Sequence, residues 1–497
     1  MNDTIKYRIL EIIPGFLVWA TFIGAFTLSF IKPLWAIYFI IAFDLYWLLR
    51  ILYMMIYMLT SWFRHKKDLK VDWWHKLQNY NEKNWQDYHH LIFLPTYQEP
   101  LDVVDHTFAS ICNSKYDLKK IIIVLAGEKR DKKNFLEISE KIKNKYQDKI
   151  SKLLITLHEV AEDELPGKGS NIHYAGKQAK KYIDELVLPY EKVIVSSFDV
   201  DTRPHEQYFA YLTYNYLNHK DPTKTSFQPV AIYNNNIWQS NPIVRVVASS
   251  TTFWLLTDLS RSERLFTFSS HSMSFKALVD IGFWDKTIVT EDSRIFLQCL
   301  VHYDGNYEVT PLYIPLFMNT VDVGQFKKSI VNQYKQMRRW AWGVEHFPWM
   351  VWHFWGKNGN KKIPFLKKMY YLWNQTEGVY SWATAPLIIL MVGRLPLWLA
   401  TENDKATASF QNAPNMLASL MTLAMTGLIV TAVVYTLMLP SKPKHLPLRS
   451  YLVMILQWLM VPFTLILFGS VPATDAQTRL MLGGKFRLGF WVSEKKN

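Results

Sequence analysis

Asp199 and Asp201 stand one residue apart, directly after the apolar run Val193 to Phe198. Two carboxylates at a strand's end can share a divalent cation that also holds a diphosphate, because hard oxygen ligands suit Mg2+ or Mn2+. Open α/β sheets bind their ligands at the carboxyl ends of their strands. By itself the pair is equally a solvated loop. A second acidic group, Thr290-Glu291-Asp292, follows the apolar Ile288-Val289. A carboxylate there can accept the proton of an attacking hydroxyl, which makes Asp292 the candidate general base. Equally, Thr290 and Asp292 can cap a helix running from Ser293 to Leu300. The third element is Gln336-Met337-Arg338-Arg339-Trp340. On a helix Gln336 shares a face with Arg339 and Trp340. Arg339 can then offer a bidentate fork to a diphosphate, and Trp340 a flat ring to a sugar or base. A basic amphipathic helix at a membrane surface would have the same composition.

These groups need a scaffold. Residues 90 to 345 alternate short β-branched runs with polar amphipathic stretches, the pattern of βαβ units around a mainly parallel sheet. The runs His90 to Leu94, Lys120 to Leu125, Lys152 to Leu157 and Val193 to Phe198 are predicted as strands, with helices over Asp102 to Cys112 and Lys133 to Tyr146. Outside this region the chain turns apolar. Runs from about Ile12 to Ile31, Leu34 to Leu59, Val379 to Leu399, Pro414 to Leu439 and Tyr451 to Phe468 give about five spans. The first of them lacks a cleavage site and reads as a retained anchor. Trp342 to Trp355 is densely aromatic but too interrupted to span, so an interfacial position is expected.

Of the 497 residues 49% are hydrophobic, which calls for membrane spans as well as a core, and 20 Trp, 27 Tyr and 29 Phe suit interfacial belts. The net charge of +14 gathers beside the apolar runs, as in Arg64-His65-Lys66-Lys67 and Lys361-Lys362 with Lys367-Lys368. That is the positive-inside pattern of a cytosolic face meeting membrane lipids, and it argues against nucleic acid as a partner. Glu402-Asn403-Asp404 fits the outside and Ser441 to Arg449 the inside; a fifth span would then export the basic Arg479 to Lys496 tail, unless the last run, with Pro462, is re-entrant. Cys112 and Cys299 are the only cysteines, too few for a disulfide framework or a four-cysteine metal site. The expectation is an integral membrane protein, of the plasma membrane, with its catalytic domain cytosolic.

The order Asp-x-Asp, Thr-Glu-Asp, Gln-x-x-Arg-Trp, flanked by membrane spans, resembles the family 2 glycosyltransferases of the cellulose and hyaluronan synthase type. The likeness is firm over about residues 90 to 345 and extends to Leu94-Pro95-Thr96-Tyr97-Gln98-Glu99-Pro100, similar to the family's Pro-Thr-Tyr-Asn-Glu segment, and to Lys168-Gly169-Ser170-Asn171, similar to its Gly-Lys-Ala motif. Without the resemblance these are a Pro-bounded turn and a solvated loop, although a lysine among small residues also suits a phosphate. The resemblance implies a GT-A-like nucleotide-sugar-binding domain and an inverting hexosyltransferase. It implies donor contacts for Pro95, Thr96, Tyr97, Glu99, Lys168, Asp199 and Arg339. It also implies Mg2+ or Mn2+ on Asp199 and Asp201, base catalysis by Asp292, and acceptor or donor contacts for Thr290, Glu291, Gln336 and Trp340.

The implied organisation is a transmembrane hairpin over 1–63, a cytosolic GT-A-like domain over 64–341, an interfacial segment over 342–375, and a membrane region with a basic tail over 376–497. The family usually places an Asp pair after the second strand, where this chain has Ala126-Gly127-Glu128. Glu128 and Asp131 are the carboxylates available there, and uridine and guanosine donors both stay open. Ser269 to Lys276 occupies the place of a Cys-Gly-Ser segment near the acceptor but lacks the Cys and Gly. Asn234-Asn235-Asn236, between Tyr233 and Trp238, is either a sugar contact or a turn. A single base and a bound leaving group suffice for direct displacement. The expected acceptor is a polysaccharide, with a lipid-linked carbohydrate as the rival. A membrane protein that binds a nucleotide-sugar without catalysis is the alternative from another class.

Overall fold

The computed structural model describes residues 2–444, 446–489 and 491. Part of the expected basic tail therefore lies outside the described residues, as does His445 in the basic Ser441 to Arg449 stretch. All eight residues of the strand Ile121–Glu128 are buried. An apolar run of that length without alternation belongs in a parallel sheet covered on both faces. The sheet has eight strands: β1 His89–Thr96, β2 Ile121–Glu128, β3 Lys152–His158, β4 Val193–Ser197, β5 Arg203–Pro204, β6 Thr225–Tyr233, β7 Ser272–Ser274 and β8 Glu308–Met318, in the order β3-β2-β1-β4-β7-β6-β8-β5. The four expected strands are β1 to β4, all parallel. β7 enters antiparallel between β4 and β6, and β6 pairs with β8 in parallel. Strands β1 to β4, β6 and β8 thus end at one edge, and that edge is where the acidic motifs emerge.

Helices close both faces. Val104, Phe108, Ile138 and Ile142 pack on one side of the sheet, while Ile172, Ala179, Ile295 and Phe296 pack on the other. Close approach is needed where the Lys168–Glu185 helix meets the segment before Thr290. A Cβ on Gly169 would stand 2.8 Å from the Asp285 carbonyl oxygen, so only glycine lets the two backbones touch there.

Among the described residues four helices are long and apolar enough to cross a membrane by length and composition: Asp3–Ile31, Pro33–Asp68, Ala408–Met438 and Arg449–Leu482. The expected span from Val379 to Leu399 is not a single helix. It begins inside Phe365–Leu387, passes a π-turn at Ile388–Val392 and ends in Leu395–Leu399. Pro386 and Pro396, with Gly393 between them, remove ladder donors and break the helix there. Its far end still packs against the start of the second span, where Ile37 clusters with Ala400, Phe410 and Ala413. The last apolar stretch touches helices of the α/β domain at both ends. Met454 Sδ accepts from Arg245, and Asp475 binds Tyr334 Oη at 3.0 Å and Arg338 Nη1 at 2.9 Å.

The aromatic Trp342 to Trp355 stretch forms a turn and the helix His346–Trp355, in which His346, Phe347, Pro348, Met350 and Phe354 are buried. It bridges the α/β domain and the first long helix, where Tyr7 and Trp352 meet edge to face.

Candidate active site

Lys168 opens the helix that follows β3, and its ammonium joins the acidic motifs. Lys168 Nζ donates to Asp199 Oδ1 at 2.9 Å and to both carboxylate oxygens of Asp292 at 2.9 Å, with Glu291 Oε1 at 3.5 Å. Side chains 31 and 124 residues away in sequence are thus held by one buried cation. Burial works to lower the Lys168 pKa, but Asp199, Asp292 and Glu291 outweigh it and hold the ammonium above the ordinary lysine range.

Asp199 also accepts from Ser269 Oγ at 2.5 Å, and Thr267 Oγ1 donates to the Asp292 carbonyl at 2.6 Å. The Ser269-Ser270-His271 segment therefore lines the cleft. Ser270 carries φ +67° while its hydroxyl meets Thr202 Oγ1 at 2.8 Å, the kind of strained backbone that functional sites retain. His271 is fully buried with Nδ1 3.9 Å from Asp292, and burial pushes its pKa down while the Asp292 charge opposes.

Asp201 is turned toward the ends of the neighbouring strands. Its Oδ2 accepts from the Asn319 backbone N–H at 3.0 Å, and its carbonyl accepts from Asn235 Nδ2 at 3.3 Å. Asn236 Oδ1 in turn accepts from Thr320 N at 2.8 Å. The Asn234 to Asn236 segment thus braces the loop behind Asp201 and works as a turn.

Arg339 and Trp340 reach the same cleft. The Trp340 ring lies 6.1 Å from that of Tyr233, and Tyr233 is held well above its usual pKa first by burial and then by Asp199 and Asp201, with Arg339 opposing. Gln336 accepts from its helix neighbour Gln333 at 3.3 Å. At the end of β1, Thr96 and Glu99 are buried, and Arg130 lies 4.6 Å over the Tyr97 ring while pairing with Glu128. Gln98 takes φ +54°, and its N–H donates to Asp131 Oδ2 at 2.7 Å. Asp131 is therefore engaged in shaping this loop.

Thr290 precedes the helix Glu291–His302, but its side chain makes no cap bond; the hydroxyl donates to Glu345 Oε1 at 2.7 Å instead. Asp292 points at Lys168. The helix-cap alternative for these two side chains is thus set aside by where they go. Glu345 and His346, which meets Ser293 Oγ at 2.7 Å, were not among the expected site residues. A carboxylate and an imidazole interrupting the aromatic run from Trp342 to Trp352 were the signal.

Burial first, and the Asp292 charge second, push the Glu291 carboxyl well above the ordinary glutamate range, with Lys168 opposing. An unfolded glutamate ionises at its ordinary value, so as pH rises from there toward the raised folded value the unfolded chain loses a proton that the folded chain holds. Stability contributed by this group falls as pH rises through that window. Glu291→Gln is expected to flatten the decline, read as melting temperatures at several pH values across it.

The donor set of Asp199 and Asp201 is all hard oxygen and suits a hard divalent cation. Among the described residues no three His, Cys, Asp or Glu side chains cluster closely enough to hold a metal by themselves. A cation there would take the rest of its shell from phosphate and water, as Mg2+ commonly does.

The sequence model of glycosyl transferase family group 2 matches residues 194–471, more than half of the chain. No curated protein matches. Among solved structures, a mannosyltransferase from Pyrobaculum calidifontis, in complex with GDP-Man and Mn2+, is 16% identical with a TM-score of 0.43, over 78% of this chain and 99% of that one. TarS 1-349 from S. aureus, in complex with UDP-GlcNAc, is 13% identical with a TM-score of 0.38, over 71% and 93%.

Proposed function

Because the chain belongs to glycosyl transferase family group 2, with a GT-A-like fold and nucleotide-sugar chemistry, we propose that it is an inverting hexosyltransferase that extends a polysaccharide at a membrane. The observation that carries this reading is the grip of Lys168 on Asp199 and Asp292 together. A donor's diphosphate bound beside Asp199 and Lys168 would place its anomeric carbon next to Asp292.

In the proposed reaction the acceptor hydroxyl gives its proton to an Asp292 carboxylate oxygen as its own oxygen forms a bond to the anomeric carbon. The bond from that carbon to the diphosphate breaks on the opposite face, and the nucleoside diphosphate leaves with the electron pair, so the configuration inverts. Lys168 meets the charge that develops on the leaving group, and Arg339 adds a planar fork. Asp199 and Asp201 would hold Mg2+ or Mn2+, which neutralises diphosphate charge when bound. Pro95 to Glu99, at the end of the strand beside β4, would contact the nucleotide, and Thr290, Glu291, Gln336 and Trp340 the acceptor or donor.

The domain would sit on the cytosolic face of the plasma membrane, between a 1–63 hairpin and the helices beyond 376, with 342–375 at the junction. A last stretch that returns to Arg338 would bring the basic tail back to the same face. The test is product analysis with the full chain in lipid nanodiscs, supplied with Mn2+ and either GDP-mannose or UDP-N-acetylglucosamine. Long chains of inverted anomeric configuration support the reading. Single additions to a lipid acceptor, or retained configuration, would overturn its acceptor or its mechanism.

A further inference from the structure

The helix that carries Asp292 begins without a side-chain cap, and the groups that would have supplied one belong to a cycle of hydrogen bonds reaching the segment after Trp340. Arg294 can only donate, so its Nε–H to His346 Nδ1 at 3.2 Å fixes Nδ1 as an acceptor and puts the imidazole proton on Nε2. That Nε2–H then donates to Ser293 Oγ at 2.7 Å, and Ser293 donates to the Thr290 carbonyl at 3.2 Å. The Thr290 hydroxyl donates to Glu345 Oε1 at 2.7 Å, and Trp342 Nε1–H donates to Glu345 Oε2 at 3.0 Å. Every proton has one place, and both carboxylate oxygens of Glu345 are used. His346 and Arg294 are 2% and 3% exposed, so the bond between them is sealed from bulk water, while the bonds through Ser293, Thr290 and Glu345 are half-buried. A satisfied buried network of this kind rigidifies what it joins.

We infer that Glu345 and His346 are positioning residues for Asp292, clamping the first turn of the Glu291–His302 helix to the segment that follows Gln336-Met337-Arg338-Arg339-Trp340. The inference rests on the proposed role of Asp292, but the clamp itself is a structural claim with its own readout. Asp292 is the second residue of that helix, within the turn the clamp holds. A displacement of about 1 Å at such a group costs on the order of 10²-fold in rate. Glu345 thereby couples the acidic motif to the packing of the His346–Trp355 helix against the first span.

The test uses the full chain in nanodiscs and hydrogen–deuterium exchange. Glu345→Ala is expected to speed exchange over residues 290–296 by about tenfold, while the Leu101–Cys112 helix is unchanged. Thr290→Val added to Glu345→Ala should bring less than about a twofold further change, because the two side chains act through one bond. Glu345→Gln keeps an acceptor for Thr290 and should stay within about threefold of the wild type. On GDP-mannose or UDP-N-acetylglucosamine, whichever is turned over, Glu345→Ala should lower kcat by about tenfold or more and leave the donor KM within about twofold. Unchanged exchange over 290–296, a uniform rise across the domain, or additive effects of the two substitutions would overturn the clamp. If Asp292→Asn keeps full turnover, the base assignment fails while the exchange result still decides the clamp.

Discussion

Asp292→Asn is expected to lower nucleoside diphosphate release by about 10²–10⁴-fold, the range over which positioned general bases act. Asparagine matches the carboxylate in shape and can still accept from Lys168 through its amide oxygen. The Thr267 bond goes to the Asp292 backbone and is untouched. What disappears is a group able to take a proton. Donor affinity, measured by calorimetry with the nucleoside diphosphate and Mn2+, should stay within about threefold, which assigns the loss to the chemical step. A large loss of affinity with unchanged kcat would instead make Asp292 a binding residue.

Lys168→Met is expected to cost both turnover and stability. The ammonium is the counter-charge for Asp199 and Asp292 and lies near Glu291. Its removal leaves the half-buried Asp199 and Asp292 carboxylates without their counter-charge, a loss of up to about 3 kcal/mol, the low end for breaking a buried pair. The pH dependence has a definite sign. The folded pKa of Lys168 is raised, so its contribution is fully present below the ordinary lysine value and is lost only as pH rises above it. At neutral pH the whole contribution is at stake. The melting-temperature gap between wild type and Lys168→Met should therefore be open throughout the neutral range. In turnover a loss of about 10²-fold or more is expected, because Lys168 also meets the charge on the departing diphosphate. A variant that melts like the wild type at pH 8 would contradict the counter-charge role.

The strands were legible because nothing else in water suits a run such as Ile121-Ile122-Ile123-Val124-Leu125, and the acids that follow β4 were visible as a break in apolar character. The place of Lys168 at the centre was not. Sequence put it near a phosphate through its small neighbours, whereas its partners lie 31 and 124 residues away and only the crossover from β3 brings them together. The aromatic content of Trp342 to Trp355 suits a lipid boundary and a protein core equally well, and which of its side chains pack inward, Met350 and Phe354 against the α/β core and Trp342 and Val344 beside Val18, depends on contacts that no local pattern encodes. Proline had the opposite effect between Val379 and Leu399, where hydropathy alone suggested an unbroken span and Pro386 and Pro396 divide it.

The donor site can be tested without knowing the acceptor. Cryo-electron microscopy of the chain in nanodiscs with Mn2+ and GDP, and separately with UDP, should place the diphosphate of the nucleotide that binds between Asp199, Asp201 and the Lys168 ammonium, with Asp292 facing the open end of the β-phosphate. A diphosphate bound elsewhere, with Lys168 still closed on Asp199 and Asp292, would contradict a transferase site built on these side chains.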